Sequence, residues 1–168
     1  MIDWIPSKIM RKDFSCDSDF LQAVENAYKD DFIRSQTFFG GKVVTRKKYP
    51  LRHNGEDASF WHLTTSGIVE TERTRSLERC ERIKWPKAII ENYSNISVNV
   101  WCEKETVLFH FRISEFDSNE KDYIVILKKR REYFVLWTAY PIEWEHTRKQ
   151  YIKRFQAHQK LKKTEGAH

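Results

Sequence analysis

The chain has 168 residues, 40% of them apolar, enough to bury one core within one domain. Its formal charge is +6 and 14% of its residues are aromatic, a balance that suits a protein meeting a polyanion and offering flat rings for stacking. The three cysteines lack CxxC or CxxxH spacing, the five glycines form no phosphate-cradling motif, and no apolar run approaches the ~18 residues of a membrane span. Zinc-finger, disulfide-scaffold, P-loop and membrane-spanning readings are thereby set aside. No secretory leader is legible at the N-terminus, and a reducing cytoplasm is the expected location.

Residues 1–16 read as an irregular lead-in. Asp17 stands as an N-cap, and Phe20, Leu21, Val24, Ala27, Tyr28 and Phe32 recur at helical spacing, which predicts an amphipathic helix over 18–34. Gly40-Gly41 breaks the chain before a short strand at Lys42-Val43-Val44. The polar stretch from Arg46 to Asp57, with His53-Asn54-Gly55 inside it, reads as a solvated loop with the charge to touch phosphate. Alternation over Phe60-Trp61-His62-Leu63-Thr64-Thr65 predicts an extended segment with Phe60, His62 and Thr64 on one face. A lone histidine among aromatics is more often a satisfied core group than a catalyst.

Leu77, Cys80, Ile83 and Trp85 lie at near-helical intervals until Pro86, which should interrupt or kink the helix before Ala88–Asn92 continues it. Arg73, Arg75, Arg79, Arg82, Lys84 and Lys87 form a basic cluster there, which serves equally as a solvated face or a phosphate track. From residue 96 the period becomes two, through Ile96–Cys102, Val107–Phe111, Tyr123–Lys128 and Tyr133–Thr138. Short links between these strands predict an antiparallel meander. A last helix places Trp144, Thr147, Tyr151 and Phe155 on one side and mostly basic groups elsewhere. The expected fold is therefore α+β: N-terminal helices followed by a four-stranded antiparallel meander sheet and a C-terminal helix. One domain over 1–159 and a disordered basic tail over 160–168 complete it.

A metal-dependent nuclease gathers several carboxylates around Mg²⁺, but Glu103, Glu115 and Asp117 are scattered, so no metal and no cofactor is expected. RNA cleavage without a metal needs less: a group to take the 2′-OH proton, an acid for the 5′-oxygen and cations on the phosphorane. Histidine suits either proton role and arginine suits the phosphate. Thr138 and Tyr140 are polar groups at the end of a buried strand and need partners. This set of residue types is common to many proteins and does not by itself specify a nuclease.

The order of Phe60-Trp61-His62-Leu63, Arg82-Ile83-Lys84-Trp85, Ile89-Ile90-Glu91-Asn92 and Leu136-Trp137-Thr138-Ala139-Tyr140 resembles the phage-type members of the barnase–EndoU–colicin–RelE superfamily of nucleases. The similarity runs from about Phe14 to Phe155, and its specific parts are the Phe-Trp-His-Leu and Trp-Thr-Ala-Tyr blocks. It implies N-terminal helices packed on a four-stranded antiparallel sheet. It also implies metal-independent endoribonuclease activity in a toxin or phage-conflict setting, with catalytic groups that vary widely among members. Carried over by position, His62 matches the family's histidine, Thr138 its hydroxyl in the last strand, and Arg82 and Arg130 its basic positions, while Tyr140 belongs to the closing motif.

The expected catalytic set is thus His62, Arg82, Arg130, Thr138 and Tyr140, and the expected RNA-binding set is Arg79, Lys84, Lys128, Trp137 and Arg148. RNA, tRNA included, is the expected substrate. An acidic antitoxin or immunity protein would fit the basic surface, no membrane partner is expected, and monomer and homodimer both stay open. Two other readings use the same surface: a non-catalytic nucleic-acid-binding module, and a toxin-like domain held by a protein partner.

Overall fold

The computed structural model describes residues 2–52 and 55–166; the His53–Asn54 part of the basic loop and the end of the tail lie outside them. The chain is α+β, with helices packed on a mixed six-stranded sheet and a C-terminal helix on the sheet's other face. No described helix is long and apolar enough to cross a membrane.

Helix α1 (Asp17–Lys29) buries Phe20, Val24 and Tyr28, which recur every four residues and form one apolar stripe. The helix opens into a π turn at Asp30–Arg34 that buries Phe32. Gly40 and Gly41 both have positive φ, the left-handed backbone that joins β1 (Thr37–Phe39) to β2 (Lys42–Arg46) as a tight hairpin. Helix α2 (Ala58–Thr64) starts at Asp57, whose carboxylate accepts the Phe60 amide at 2.8 Å. The Tyr28 hydroxyl donates to the same carboxylate, locking α2 onto α1.

After α2 come the two-residue strands β3 (Thr65–Ser66) and β4 (Thr74–Arg75), paired antiparallel. Helices α3 (Leu77–Glu81) and α4 (Trp85–Glu91) follow. Pro86 falls in the first turn of α4, where its missing N–H costs nothing. It therefore opens a helix rather than kinking one.

The remaining strands are β5 (Val98–Glu103), β6 (Thr106–Phe111), β7 (Tyr123–Lys129) and β8 (Phe134–Pro141), each antiparallel to the next. The sheet order is β1-β2-β8-β7-β6-β5, with β2 lying parallel to β8. This corrects the expectation of a four-stranded, wholly antiparallel sheet. The chain leaves β2, crosses through α2, the β3–β4 pair, α3 and α4 to the far edge, and returns strand by strand. Its last strand meets β2 running the same way. The short Lys42–Arg46 run carried too little alternation to predict that it joins the main sheet.

Phe109, Phe111, Tyr123, Val125, Leu127, Leu136 and Ala139 face α1–α4 and form the larger core. On the opposite face Trp101, Leu108, Ile124 and Ile142 pack under Tyr151 of α5 (Glu145–Gly166). Strand β7 is buried on both faces, as a near-continuous apolar run requires. Helix α5 runs from Glu145 to Gly166.

Burial beside the π turn lifts the Asp31 carboxyl to about 6, with Lys87 opposing and Asp30 adding. A folded value above the unfolded one means that the stability this group contributes is full below about 4 and is lost as pH rises through about 6. Asp31→Asn is therefore expected to raise stability at pH 7.5 by about 1 kcal/mol, allowing for solvent screening, and to change little at pH 4. Paired thermal melts at the two pH values check this.

Candidate nucleic-acid interface

Strand β2 pairs with β8 at only three steps, Val44 with Phe134, Thr45 with Val135 and Arg46 with Leu136. The start of α2 then fills the place beside β8. The Ser59 hydroxyl donates to the Leu136 carbonyl at 2.9 Å and accepts the Lys47 amide at 2.7 Å. Just past this fork the β7–β8 register slips, and Trp137 is the extra residue. A bulge re-aims a side chain, and here it turns the Trp137 ring outward with 36% of the residue exposed. Lys47 Nζ lies 4.4 Å and Lys128 Nζ 5.5 Å from the centre of that ring. Lys128 is fixed by a 3.0 Å hydrogen bond to the Thr106 hydroxyl.

His62 belongs to α2 rather than to an extended segment. Seven residues with apolar groups at most positions fit either period, and the Asp57 cap decides for the helix. Phe60, Leu63 and Thr64 then turn inward, while the His62 side chain keeps 28% of its surface. Its backbone carbonyl accepts Arg79 Nη1 at 2.9 Å. The Arg79 guanidinium lies over the Tyr140 ring at 5.1 Å, and the Tyr140 hydroxyl is hydrogen-bonded to the Tyr151 hydroxyl of α5. The fold thus connects His62, Arg79 and Tyr140. Thr138 is half-buried and stands two residues from Tyr140 on the same face, opposite Ile126.

Burial is the first cause that lowers the His62 pKa. The positive charges of Arg73, Arg52 and Lys47 act the same way and Glu70 opposes them. The imidazole is therefore neutral near pH 7 and able to accept a proton. Burial likewise lowers the Arg79 pKa, but a guanidinium keeps its charge in proteins. Next to His62 opens a cavity of about 520 Å³ lined by Leu51, Arg52, Trp61, Glu70, Thr71 and Arg73.

Four expected residues lie apart from this cluster. The Arg82 side chain is 6% exposed, ion-paired with Glu120 at 2.9 Å and bonded to the Glu78 carbonyl at 3.0 Å. It holds the N-terminal segment through Glu120, which also binds Lys8, and has no path to a phosphate. Arg130 sits in the β7–β8 hairpin, turned onto the Lys129 carbonyl. At ~3.3 Å per residue the length of β8 keeps it roughly 20 Å from Tyr140. Lys84 lines a shallow hollow with Trp4, Pro6 and Asp31 among the helices. Arg148 makes two 3.0 Å hydrogen bonds to Glu145 and lies 3.7 Å from Asp122, so its charge is already answered.

Lys47, Arg52 and Arg73 were legible only as parts of basic stretches, and their convergence around His62 was not. Lys47 and Arg52 lie in a loop read either as solvated or as phosphate-contacting, and nothing in their spacing pairs them with His62. Sequence reasoning missed the pair formed by His110 Nε2 and Asp122 Oδ2, 2.7 Å apart and wholly buried. Burial works to raise the Asp122 pKa, but hydrogen bonds from His110 and Ser114 pull it below the ordinary range. This pair lies between the sheet and α5, against the Tyr151 ring, and buttresses the fold.

Among the described residues no three His, Cys, Asp or Glu side chains converge on a metal position. Comparison with protein-family models, curated proteins and solved structures finds no match for this chain, so its site is read from its own geometry.

Proposed function

We propose that this protein is an endoribonuclease that cleaves RNA by attack of the 2′-hydroxyl on the adjacent phosphorus, without a metal, and that it stands with the phage-type nucleases it resembles. The supporting observation is the chain of contacts from α2 to β8: Arg79 donates to the His62 backbone carbonyl and lies over the Tyr140 ring, while burial keeps the His62 imidazole neutral. In the proposed step His62 takes the 2′-OH proton, the 2′-oxygen bonds to phosphorus and the bond from phosphorus to the 5′-oxygen breaks. The departing oxygen takes its proton from water. Arg79 faces the charge that builds on the phosphorane, where a fixed cation in a partly dry site acts most strongly. Thr138 and Tyr140 position the sugar and phosphate.

Trp137, with Lys47 and Lys128 beside its ring, supplies a platform for a base flanked by backbone charge. That platform equally serves a protein that binds RNA without cutting it. The two readings separate on a matched pair of oligonucleotides. A nuclease of this type cleaves the RNA and leaves the DNA of the same sequence intact, because DNA lacks the attacking hydroxyl. A binding module leaves both intact.

Residues 159–166 of α5 are exposed throughout and carry Lys160, Lys162 and Lys163. Ending the chain after His158 is expected to lower the salt dependence of RNA binding by about 2, at ~0.7 for each phosphate that these lysines neutralise. Affinity at low salt should fall about tenfold. Titrations over a range of salt concentrations measure both effects.

A further inference from the structure

We propose that Arg52 and His62 form a phosphate subsite whose resident occupant is the carboxylate of Glu70, and that a phosphodiester group must displace this carboxylate to bind. The inference deepens the RNA reading and rests on it for the identity of the incoming anion. Glu70 Oε1 lies 2.5 Å from Arg52 Nη2 and 3.5 Å from His62 Nε2, inside the cavity also lined by Trp61 and Arg73. A carboxylate and a phosphate present similar oxygen pairs to a guanidinium, so each can stand where the other binds.

The occupant fits badly. The contact with Arg52 is close but poorly aligned, and both Arg52 Nε and Glu70 Oε1 are buried without a hydrogen-bond partner among the described residues. A guanidinium reaches its best geometry when two adjacent N–H groups meet two oxygens, and Glu70 leaves that fork half used. Arg73 meanwhile is pinned to the wall by hydrogen bonds to the Thr65 hydroxyl (3.0 Å), the Thr65 carbonyl (2.6 Å) and the Gly67 carbonyl (2.9 Å). It adds charge without adding a free donor set.

The segment that carries Glu70 is lightly held. It is a single turn, Glu70–Glu72, that buries no residue, and Ile68 and Val69 just before it point into solvent. Moving it costs little apolar burial. A lone phosphate must expel Glu70 with the subsite alone to hold it, whereas a polymer also gains from the Trp137 platform and the lysines around it. The arrangement therefore selects polymeric RNA over free phosphate and mononucleotides.

The test is titration of Trp fluorescence with inorganic phosphate and with a 2′-O-methyl RNA hexamer, which binds but cannot be cleaved by this route. Glu70→Gln is expected to bind phosphate about fivefold or more tighter than the parent, the scale of one part-exposed charge. Glu70→Asp, with a shorter reach, should fall between. The gain should vanish when Arg52→Gln is added. Phosphate binding that is unchanged or weaker in Glu70→Gln would overturn the proposal, as would a gain that survives Arg52→Gln. No cleavage enters these readings. A protein that left RNA intact yet showed the gain would keep the subsite and lose the nuclease reading.

Discussion

Asp122→Ala is expected to destabilise the fold by about 3 kcal/mol, the order of cost for removing a buried carboxylate that serves several hydrogen-bond donors. Asp122 is 1% exposed and serves two neighbours at once. One oxygen meets His110 Nε2 at 2.7 Å, and the other accepts the Ser114 amide at 2.9 Å and the Ser114 hydroxyl at 2.6 Å. Alanine leaves the fully buried His110 without its partner and takes the acceptor from the part-buried Ser114. Asp122→Asn keeps one oxygen for Ser114 and should cost less. The native carboxyl titrates below its unfolded value, so its contribution is present above about pH 4 and lost as pH falls through the folded value. The gap between parent and alanine variant should accordingly narrow in acid. Denaturant melts at pH 7 and pH 3 measure both effects.

His62→Ala is expected to slow RNA cleavage by about 10²- to 10⁴-fold, the range for loss of a positioned proton acceptor. RNA affinity should fall far less than the rate, because the imidazole is one of two groups in the proposed phosphate subsite and Arg52 remains. The link from His62 to Arg79 runs through the histidine's backbone carbonyl, which alanine retains. The variant therefore removes the imidazole and leaves the Arg79–Tyr140 stack in place. Burial and the neighbouring arginines lower the His62 pKa below its ordinary 6.5, so the neutral form predominates at pH 7. The parent's rate should rise with pH below 6.5 and then level off, and the alanine variant should lack this limb. A rate that falls as pH rises through this range, and loses that fall in the variant, would assign His62 the proton-donor role instead.

Much of the fold was readable because its apolar periods are long. Phe20, Val24 and Tyr28 marked a helix, and the alternations from Val98 to Phe111 marked two strands. The places that misled were short. Seven residues around His62 fit two periods, and only the cap at Asp57 separates them. Strand β2 reaches the main sheet through a parallel pairing that depends on where a later strand comes to rest, which no local pattern encodes. The proposed site divides in the same way. His62 and Tyr140 enter that proposal as polar groups inside apolar motifs. Arg82 and Arg130 were chosen by position along the chain; one is held by Glu120 and the other stands at the end of β8 away from Tyr140. Arg79 meets His62 because α3 packs beside α2, a tertiary fact that spacing along the chain cannot supply.

The most direct measurement is end-group analysis of a labelled RNA after incubation with the pure protein in EDTA. The expected result is internal cleavage that leaves 2′,3′-cyclic phosphate and 5′-hydroxyl ends, with the same RNA surviving under the His62→Ala variant. RNA left whole by the parent, or cut equally fast by His62→Ala, would contradict it.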